Sequence, residues 1–425
     1  MKPDAMVRDA ARALPPSVRS PEALRLTAAA AVGRFELQVC QNCGAVQYPP
    51  REACHRCLSS AVEWVPQAGG ADLLSETTLL HSHDEYFRAR LPIRLGLVRL
   101  DVGPTAVVYL GDGVAAPPCR VRVEARLDKS GQGVLVANSG DGALVRSAHL
   151  REMSCDPSGR RVLVADAGSA SGVALVRSLV DVGADVVWAG CGPESARRGG
   201  LSDLLGGLEQ VRFVSLDATS EGSVRALADQ IGPQVDVLID NVGFDARGDV
   251  GTEPHAGTEP QASPAPRVPS GPDSNSARVE PHATYFASMR LAQAFGQPMR
   301  TTAATAPVGS PLSAWVNLFA FDTLVVAPQS TFPASGPAAA YSFARSLRAE
   351  MRPAGIRVLN VFAGPLNDGR DRGPPAAKLT PVALARAVIK ALQDGIEDLY
   401  PGGELPRDWV ARWCNNPKEH GLTDR

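Results

Sequence analysis

No run of about 18 apolar residues occurs in this 425-residue chain, which excludes a bilayer-spanning helix. Excess charge of either sign is missing too: 43 Lys and Arg stand against 45 Asp and Glu, a formal −2. The balance gives no electrostatic reason to expect nucleic acid or an anionic membrane as partner. The opening stretch MKPDAMVRDAARALPPSVRS has neither the apolar centre nor the cleavage pattern of a secretory leader, and residues 1–20 read as the flexible tail of a cytoplasmic protein. What the chain has in quantity is turn formers, 40 Gly and 35 Pro, which predict many loops and at least one unstructured stretch. Its length is enough for two or three domains, each burying its own core.

Of the eight cysteines, four fall in one segment, LQVCQNCGAVQYPPREACHRCLSS. Cys40 and Cys43 stand two residues apart, Cys54 and Cys57 repeat the gap, and a Gly/Pro-bearing turn separates the pairs. That spacing lets four thiolates meet at one tetrahedral Zn²⁺, each pair turning in a tight knuckle. With all four positions cysteine, no coordination site is left open, so the metal is structural. His55 lies inside the second knuckle and is expected to face solvent. Cys119, Cys155, Cys191 and Cys414 are scattered singly, as small buried hydrophobes are.

Before the ribbon, PEALRLTAAAAVGRFELQ reads as a helix ending near Gly33. After it, GGADLLSETTLLHS, IRLGLVRLDVG, TAVVYLGDG, CRVRVEARLD and GQGVLVAN are short alternating stretches with Gly/Asp turns, which suit a small barrel of the OB type. Helix, LQVCQNCGAVQYPPREACHRC and barrel together resemble the zinc-ribbon/OB-fold proteins that accompany thiolases and thiolase-like aldolases, over residues 22–140. The resemblance implies a non-catalytic subunit that docks on a thiolase-fold enzyme and helps to form its acyl-CoA site. His81 and His83, in HSHDEYF, are within reach of a ligand there, though paired surface histidines without a positioned partner are ordinarily solvated.

From residue 160 the pattern changes. RRVLVADAGSASGVALVRSLVDVGADVVWAG is a buried strand, a small-residue loop, an amphipathic helix and a second buried strand, a βαβ unit. VRFVSLDATSEGSVRALADQI and VDVLIDNVG continue the alternation, predicting a doubly wound parallel sheet. The predicted architecture is therefore an α/β Rossmann domain over 158–425, preceded by a small all-β zinc-ribbon (37–62) plus OB-fold domain within 21–148.

The second half resembles the short-chain dehydrogenase/reductase family. LDATSEGSV matches its third-strand Asp turn, putting Asp217 where the family contacts adenine, and Asp240 to Gly243 match its Asn-Asn-Ala-Gly element. RSLRAEMRPAGIRVLNVFAGP reproduces without a gap the helix and sixth strand that end in its Pro-Gly turn, and GIEDLYPGG...DWVARWCNNPK is similar to the end of members acting on acyl-CoA substrates. The chemistry, however, is missing. The Thr-Gly-x-x-x-Gly-x-Gly phosphate loop is Ala165, Asp166, Ala170 and Gly172, with a carboxylate where a diphosphate would lie. Gly190 stands in place of the acid that holds the ribose of NAD, and no arginine of NADP type stands at Cys191, although Arg197 and Arg198 follow. Counting back from GIRV, the catalytic Tyr and Lys positions are Pro333 and Pro337, and the serine position is Ala320. None of these side chains can move a proton. Thr284 replaces the family's asparagine.

Tyr341 and Arg345 form a rival pair with the right spacing. Using it slides the helix by eight residues, about 12 Å, and arginine cannot relay a proton as lysine does. The resemblance thus implies no catalytic residue and only a vestigial cofactor set, Gly168, Gly172, Asp217, Asn241 and Gly243, and these residues argue against NAD(P) binding. Residues 245–281 are rich in Pro, Gly, Ser and Asn and poor in large apolar side chains, predicting a disordered insertion.

Three functions compete. The favoured one is a non-catalytic subunit of a thiolase or aldolase complex in CoA-thioester degradation of aromatic or steroid side chains, with the dehydrogenase-like domain as scaffold or as silent half beside an active short-chain dehydrogenase. The second is an NAD(P)-dependent 3-hydroxyacyl-CoA dehydrogenase using Tyr341 and Arg345, and the third an acyl-CoA or nucleotide sensor. Family members pair through the helices after the fourth and fifth strands, so a homo- or hetero-oligomer built on AQAFGQPMR and AAAYSFARSLRAEM is expected.

Overall fold

A computed structural model describes residues 14–139, 147–192, 201–244, 275–320, 335–364, 366 and 379–401, without the side chains of 148, 275–283 and 335–338. The expectations for residues 1–13, Arg197, Arg198, Pro333 and Cys414, for the side chain of Pro337, and for the insertion up to residue 274 lie outside that set.

The chain begins with helix α1 (Ala23–Ala31), whose Leu26, Ala29 and Ala30 are buried. Gly33, at φ +70°, turns it into the ribbon, a conformation that glycine adopts without strain. The ribbon is three antiparallel strands, β1 (Glu36–Cys40), β2 (Val46–Gln47) and β3 (Val62–Pro66), in the order β2-β1-β3. Next come β4 (Gly70–Leu79), the short helix α2 (Glu85–Arg88), β5 (Ile93–Leu100), β6 (Thr105–Leu110), β7 (Cys119–Leu127) and β8 (Gly133–Asn138). These strands close a barrel in the order β4-β5-β6-β8-β7. Inward residues of alternating strands, among them Leu73, Val98, Val108, Val123 and Leu135, form one core with Leu26 and Leu37, the period-2 burial of a sheet with one face wet.

A connecting helix α3 (Ala148–Arg151) leads to the second domain. Its elements run β9 (Arg161–Val164), α4 (Ala170–Asp181), β10 (Val186–Cys191), α5 (Leu201–Leu205), β11 (Val211–Ser215), α6 (Glu221–Ile231), β12 (Val237–Asp240), α7 (Asn275–Thr305), β13 (Ala314–Ala320), α8 (Ser335–Met351), β14 (Arg357–Ala363), α9 (Pro381–Asp394) and β15 (Asp398–Leu399). The seven strands, all parallel, stand in the order β11-β10-β9-β12-β13-β14-β15, a doubly wound sheet whose order reverses between β9 and β12. Helices α4 and α9 cover one face through Leu175, Leu179, Leu384 and Val388. Helices α6, α7 and α8 cover the other through Leu227, Leu291, Phe295 and Leu347. Helix α7 begins at Asn275, so its first turns fall inside the stretch 245–281 expected to be loop. The helix formers of ARVE follow there directly, and they extend the helix toward its amino end despite Pro281.

The register of α8 is fixed by a polar chain across the sheet. Trp315 donates to Asn317, Asn317 to Asn360, Asn360 to Asp398, and Arg348 of α8 closes the chain on Asp398 at 2.7 Å. Three buried groups, Trp315, Asn317 and Asn360, and the half-buried Asp398 and Arg348, joined in sequence, leave one way to seat the helix.

The barrel packs on the amino-terminal ends of these strands. Arg357, the first residue of β14, donates to the carbonyls of Leu127 and Asp128, and the amide of Glu397 donates to Ala31 O at 2.8 Å. The carboxyl ends of the strands, where open α/β sheets bind ligands, therefore point away from the barrel.

Candidate functional site

Two sites come from the sequence, one in each domain. In the ribbon, the two knuckles are built alike. The amide of Cys40 donates to Ala45 O and that of Gly44 to Cys40 O, while the amide of Cys54 donates to Ser59 O and that of Leu58 to Cys54 O, all at 2.9 Å. Gly44 and Leu58 hold equivalent corners at φ +69° and +60°, the second of them strained for a leucine. The four Sγ atoms lie within 4.8 Å of one another, with Cys40 to Cys57 at 3.5 Å and Cys43 to Cys54 at 3.7 Å. A tetrahedral Zn²⁺ with Zn–S bonds of about 2.3 Å needs edges of roughly 3.8 Å, so the donors fit this metal. The amides of Arg56 and Cys57 pull the Cys54 thiol down to about 6, toward the thiolate that binds.

His55 is no ligand: its Nδ1 sits 3.2 Å from Gln47 Oε1. Gln47 and Gln38, both buried, are themselves joined at 2.8 Å, and Gln38 holds both backbone groups of Arg51. This amide pair, which sequence reasoning missed, sets the second knuckle against the first. His81 and His83 are exposed and meet each other edge-on at 5.0 Å.

In the Rossmann domain the first βα loop, the fourth-strand end and the β10 end come together at the carboxyl edge. Asn241, fully buried, accepts from the amide of Asp166 at 2.9 Å and donates to its carbonyl at 2.7 Å and to Ser169 Oγ. It braces the loop. The carboxylate of Asp166 accepts the Gly168 amide at 3.1 Å, Ser169 Oγ caps the Gly172 amide at 3.1 Å, and the Ala167 amide donates to Gly190 O at 2.9 Å. The donors that a diphosphate would use are thus bound from within. A Cβ on Gly172 would overlap Asp166 O, and one on Gly190 would overlap Ala165 O, so an acid of NAD type has no room at position 190. Burial, helped by the Asp166 charge, pushes the Cys191 thiol up.

Asp217 closes its own turn, accepting Thr219 N at 2.9 Å and Thr219 Oγ1 at 2.6 Å. Gly243, at φ +73°, abuts Thr284, whose Oγ1 lies 2.6 Å from where a Cβ would be. Ala320 ends β13 opposite Ala363. Tyr341 packs edge-on against Phe362 at 5.1 Å and beside Phe319 and Tyr400, whereas Arg345 is exposed. The rival pair is therefore divided between an aromatic cluster and solvent.

A second group missed in the sequence is Asp240, 4% exposed and accepting Ser288 Oγ at 2.5 Å. Its signal was present: Asp stands where the family element has Asn. Burial pushes its carboxyl from 3.8 up to about 6, so the folded state holds a proton that the unfolded chain releases in that window. Stability falls as pH rises through it and stays lower above. Asp240→Asn keeps an acceptor for Ser288 and removes the ionisation. It should stabilise the protein by about 3 kcal/mol at pH 7 and by almost nothing below about pH 4, read by urea denaturation at both pH values; equal effects at the two would exclude a buried ionisation.

Against known proteins, residues 27–63 match the family described as ChsH2, rubredoxin-like zinc ribbon domain. No curated protein matches the chain. Among solved structures, a short-chain dehydrogenase from Burkholderia cenocepacia J2315 in complex with NADP is 22% identical with TM-score 0.47, covering 62% of this chain and 96% of the other. One from Streptomyces avermitilis is 19% identical with TM-score 0.44, covering 61% and 94%. An alcohol dehydrogenase from the archaeon Thermococcus sibiricus is 19% identical with TM-score 0.41, covering 57% and 96%. The chain thus carries a ChsH2-type zinc ribbon with a four-cysteine metal site and a barrel, followed by a Rossmann domain similar to short-chain dehydrogenases.

Proposed function

We propose that this chain is a non-catalytic subunit of an acyl-CoA complex, its zinc-ribbon/barrel module engaging a thiolase-fold or aldolase partner in CoA-thioester degradation of aromatic or steroid side chains. The Rossmann domain serves as scaffold, or as the silent half of a pair with an active short-chain dehydrogenase. The observation that carries this reading is the first βα loop, whose amides at 167, 168 and 172 are taken by Gly190, Asp166 and Ser169. A dinucleotide would have to displace a resident carboxylate without gaining the ribose-binding acid that Gly190 replaces. Ala320, Pro333 and Pro337, at the positions that carry proton transfer in the family, support the same reading. A metal held by four thiolates adds rigidity and no Lewis-acid site. Oligomerisation through α7 and α8 fits a subunit role.

Isothermal titration with NAD⁺, NADH, NADP⁺ and NADPH tests it. No dinucleotide should bind, and a co-expressed thiolase-fold enzyme should form a stoichiometric complex that the isolated ribbon/barrel surface competes for. Micromolar binding of any dinucleotide would overturn the reading and make Tyr341 the first residue to replace.

A further inference from the structure

The barrel is closed by β7 along only part of β4. The β4–β7 ladder covers Gly70 to Leu73, whereas β4 continues along β5 as far as Leu79. Pro117 and Pro118 precede β7, and neither has an N–H with which to extend the ladder past Leu73. Residues 74–79 are consequently an open sheet edge, with every residue from Leu74 to Leu80 exposed and no strand beside it among the described residues. Natural sheets blunt such edges with charge or proline. Here the sequence is Leu-Ser-Glu-Thr-Thr-Leu-Leu, whose one charge, Glu76, is paired with Arg94 at 2.6 Å.

Next to the edge, the outer surface of the barrel is apolar. The cross-strand rows are Ser75, Leu97, Val107 and Thr77, Leu95, Tyr109, without a charge in either. Leu97 and Val107 are 38% and 61% exposed.

We infer that this edge pairs with the same edge of a second copy of the chain, β4 antiparallel to β4 about a two-fold axis through Thr77. Side-by-side antiparallel strands related by a two-fold keep their faces, so directly opposed residues must be separated by an even number of positions. Centring on Glu76 would oppose two carboxylates, which is unfavourable. Centring on Thr77 opposes Thr77 to itself, Glu76 to Thr78, Ser75 to Leu79, and brings Leu74 to Leu80. Glu76 then shares a cross-strand row and a face with the second copy's Thr78 and, one strand further, its Arg94, about 10 Å away. Thr–Thr pairs are favourable cross-strand partners, and the opposite charges of Glu76 and Arg94 attract across the intervening strand. Leu80, 77% exposed in one chain, is covered, and the two apolar barrel faces join in one six-stranded sheet. This contact is independent of α7 and α8, so it adds an oligomerisation step to whichever state those helices give.

The register makes a sharp test on the full-length chain. Directly opposed Cα atoms of an antiparallel pair lie about 4.5–5.5 Å apart, within disulfide reach, whereas diagonal ones at about 7–8 Å are not. Thr77→Cys should therefore cross-link to a dimer on a non-reducing gel under mild oxidation, while Glu76→Cys stays a monomer. Thr77→Lys, which opposes two ammonium groups, should halve the mass measured by light scattering relative to the unsubstituted chain at the same loading. A mass unchanged by Thr77→Lys, together with no cross-link at Thr77→Cys, would overturn the inference, and so would equal cross-linking at both cysteine positions.

Discussion

Removing the metal should unfold the ribbon and leave the Rossmann domain standing. The ribbon sheet has strands of five, two and five residues, too little to hold itself. Its larger apolar side chains, Leu37, Val46 and Trp64, face the barrel core and not a core of their own. What closes the knuckles is the set of thiolates at Cys40, Cys43, Cys54 and Cys57, and structural zinc contributes about 10–16 kcal/mol to comparable small sites at neutral pH. Cys54, fully buried, is the position of choice. Cys54→Ser should lose its zinc and become susceptible to trypsin at Arg51 and Arg56, which the zinc form protects by pinning the Arg51 backbone to Gln38. The Rossmann transition in a thermal scan should stay within a few degrees, because its core takes no side chain from the ribbon, whereas the barrel, whose core includes Leu37, Val46 and Trp64, should melt earlier. A Cys54→Ser protein that still resists trypsin would mean that the Gln38–Gln47 pair, and not the metal, holds the ribbon.

The parts legible in the sequence are those with short-range grammar. Two Cys-x-x-Cys pairs determine a metal site because the ligands are local, and alternating strands and amphipathic helices give a parallel sheet because each βαβ unit is right-handed and nearly self-contained. The first βα loop was readable in part. Asp166 announced a misplaced charge, but that its carboxylate folds back on the Gly168 amide depends on Asn241, seventy-five positions away. Asn241 and Asp217, matched to cofactor-contact positions by alignment, also brace a loop and close a turn, roles that spacing does not reveal. The barrel's seat on the amino ends of β14 and β15 had no signal, since Arg357 and Glu397 look like ordinary surface charges until they are buried at 3% and 6% exposure. That seat separates the two sites: the metal module and the first βα loop lie on opposite ends of the sheet.

The joint itself yields the second large effect. Glu152, at the end of α3 and 1% exposed, gathers donors from three places. Arg90 forks onto it, one contact being very short and the other 2.8 Å, Tyr86 donates its hydroxyl at 3.0 Å, and Gly309 of the Rossmann domain donates its amide at 3.1 Å. Lys129 of the β7–β8 turn stands 3.9 Å off, and the Arg90 guanidinium lies 3.6 Å over the Tyr86 ring. Burial alone would push the carboxyl up, but Arg90, Lys129 and the Gly309 amide outweigh it and hold Glu152 below the ordinary carboxylate range. Glu152→Ala strands two buried cations, and breaking such a pair costs about 3–5 kcal/mol, more than the net value of the pair, because the uncompensated charges remain. Glu152→Gln, which keeps the shape and an acceptor, should lose less. Because its folded pKa is depressed, the stability Glu152 supplies is present above about pH 4.5 and is lost as pH falls through the folded value, the opposite slope to Asp240. Chemical denaturation of Glu152→Ala at pH 7 and pH 4 should therefore show a deficit that shrinks on acidification, with the barrel and Rossmann transitions separating at pH 7. A deficit under about 1 kcal/mol would put Glu152 among surface ion pairs and leave the backbone contacts of Ala31, Leu127 and Asp128 as the whole of the joint.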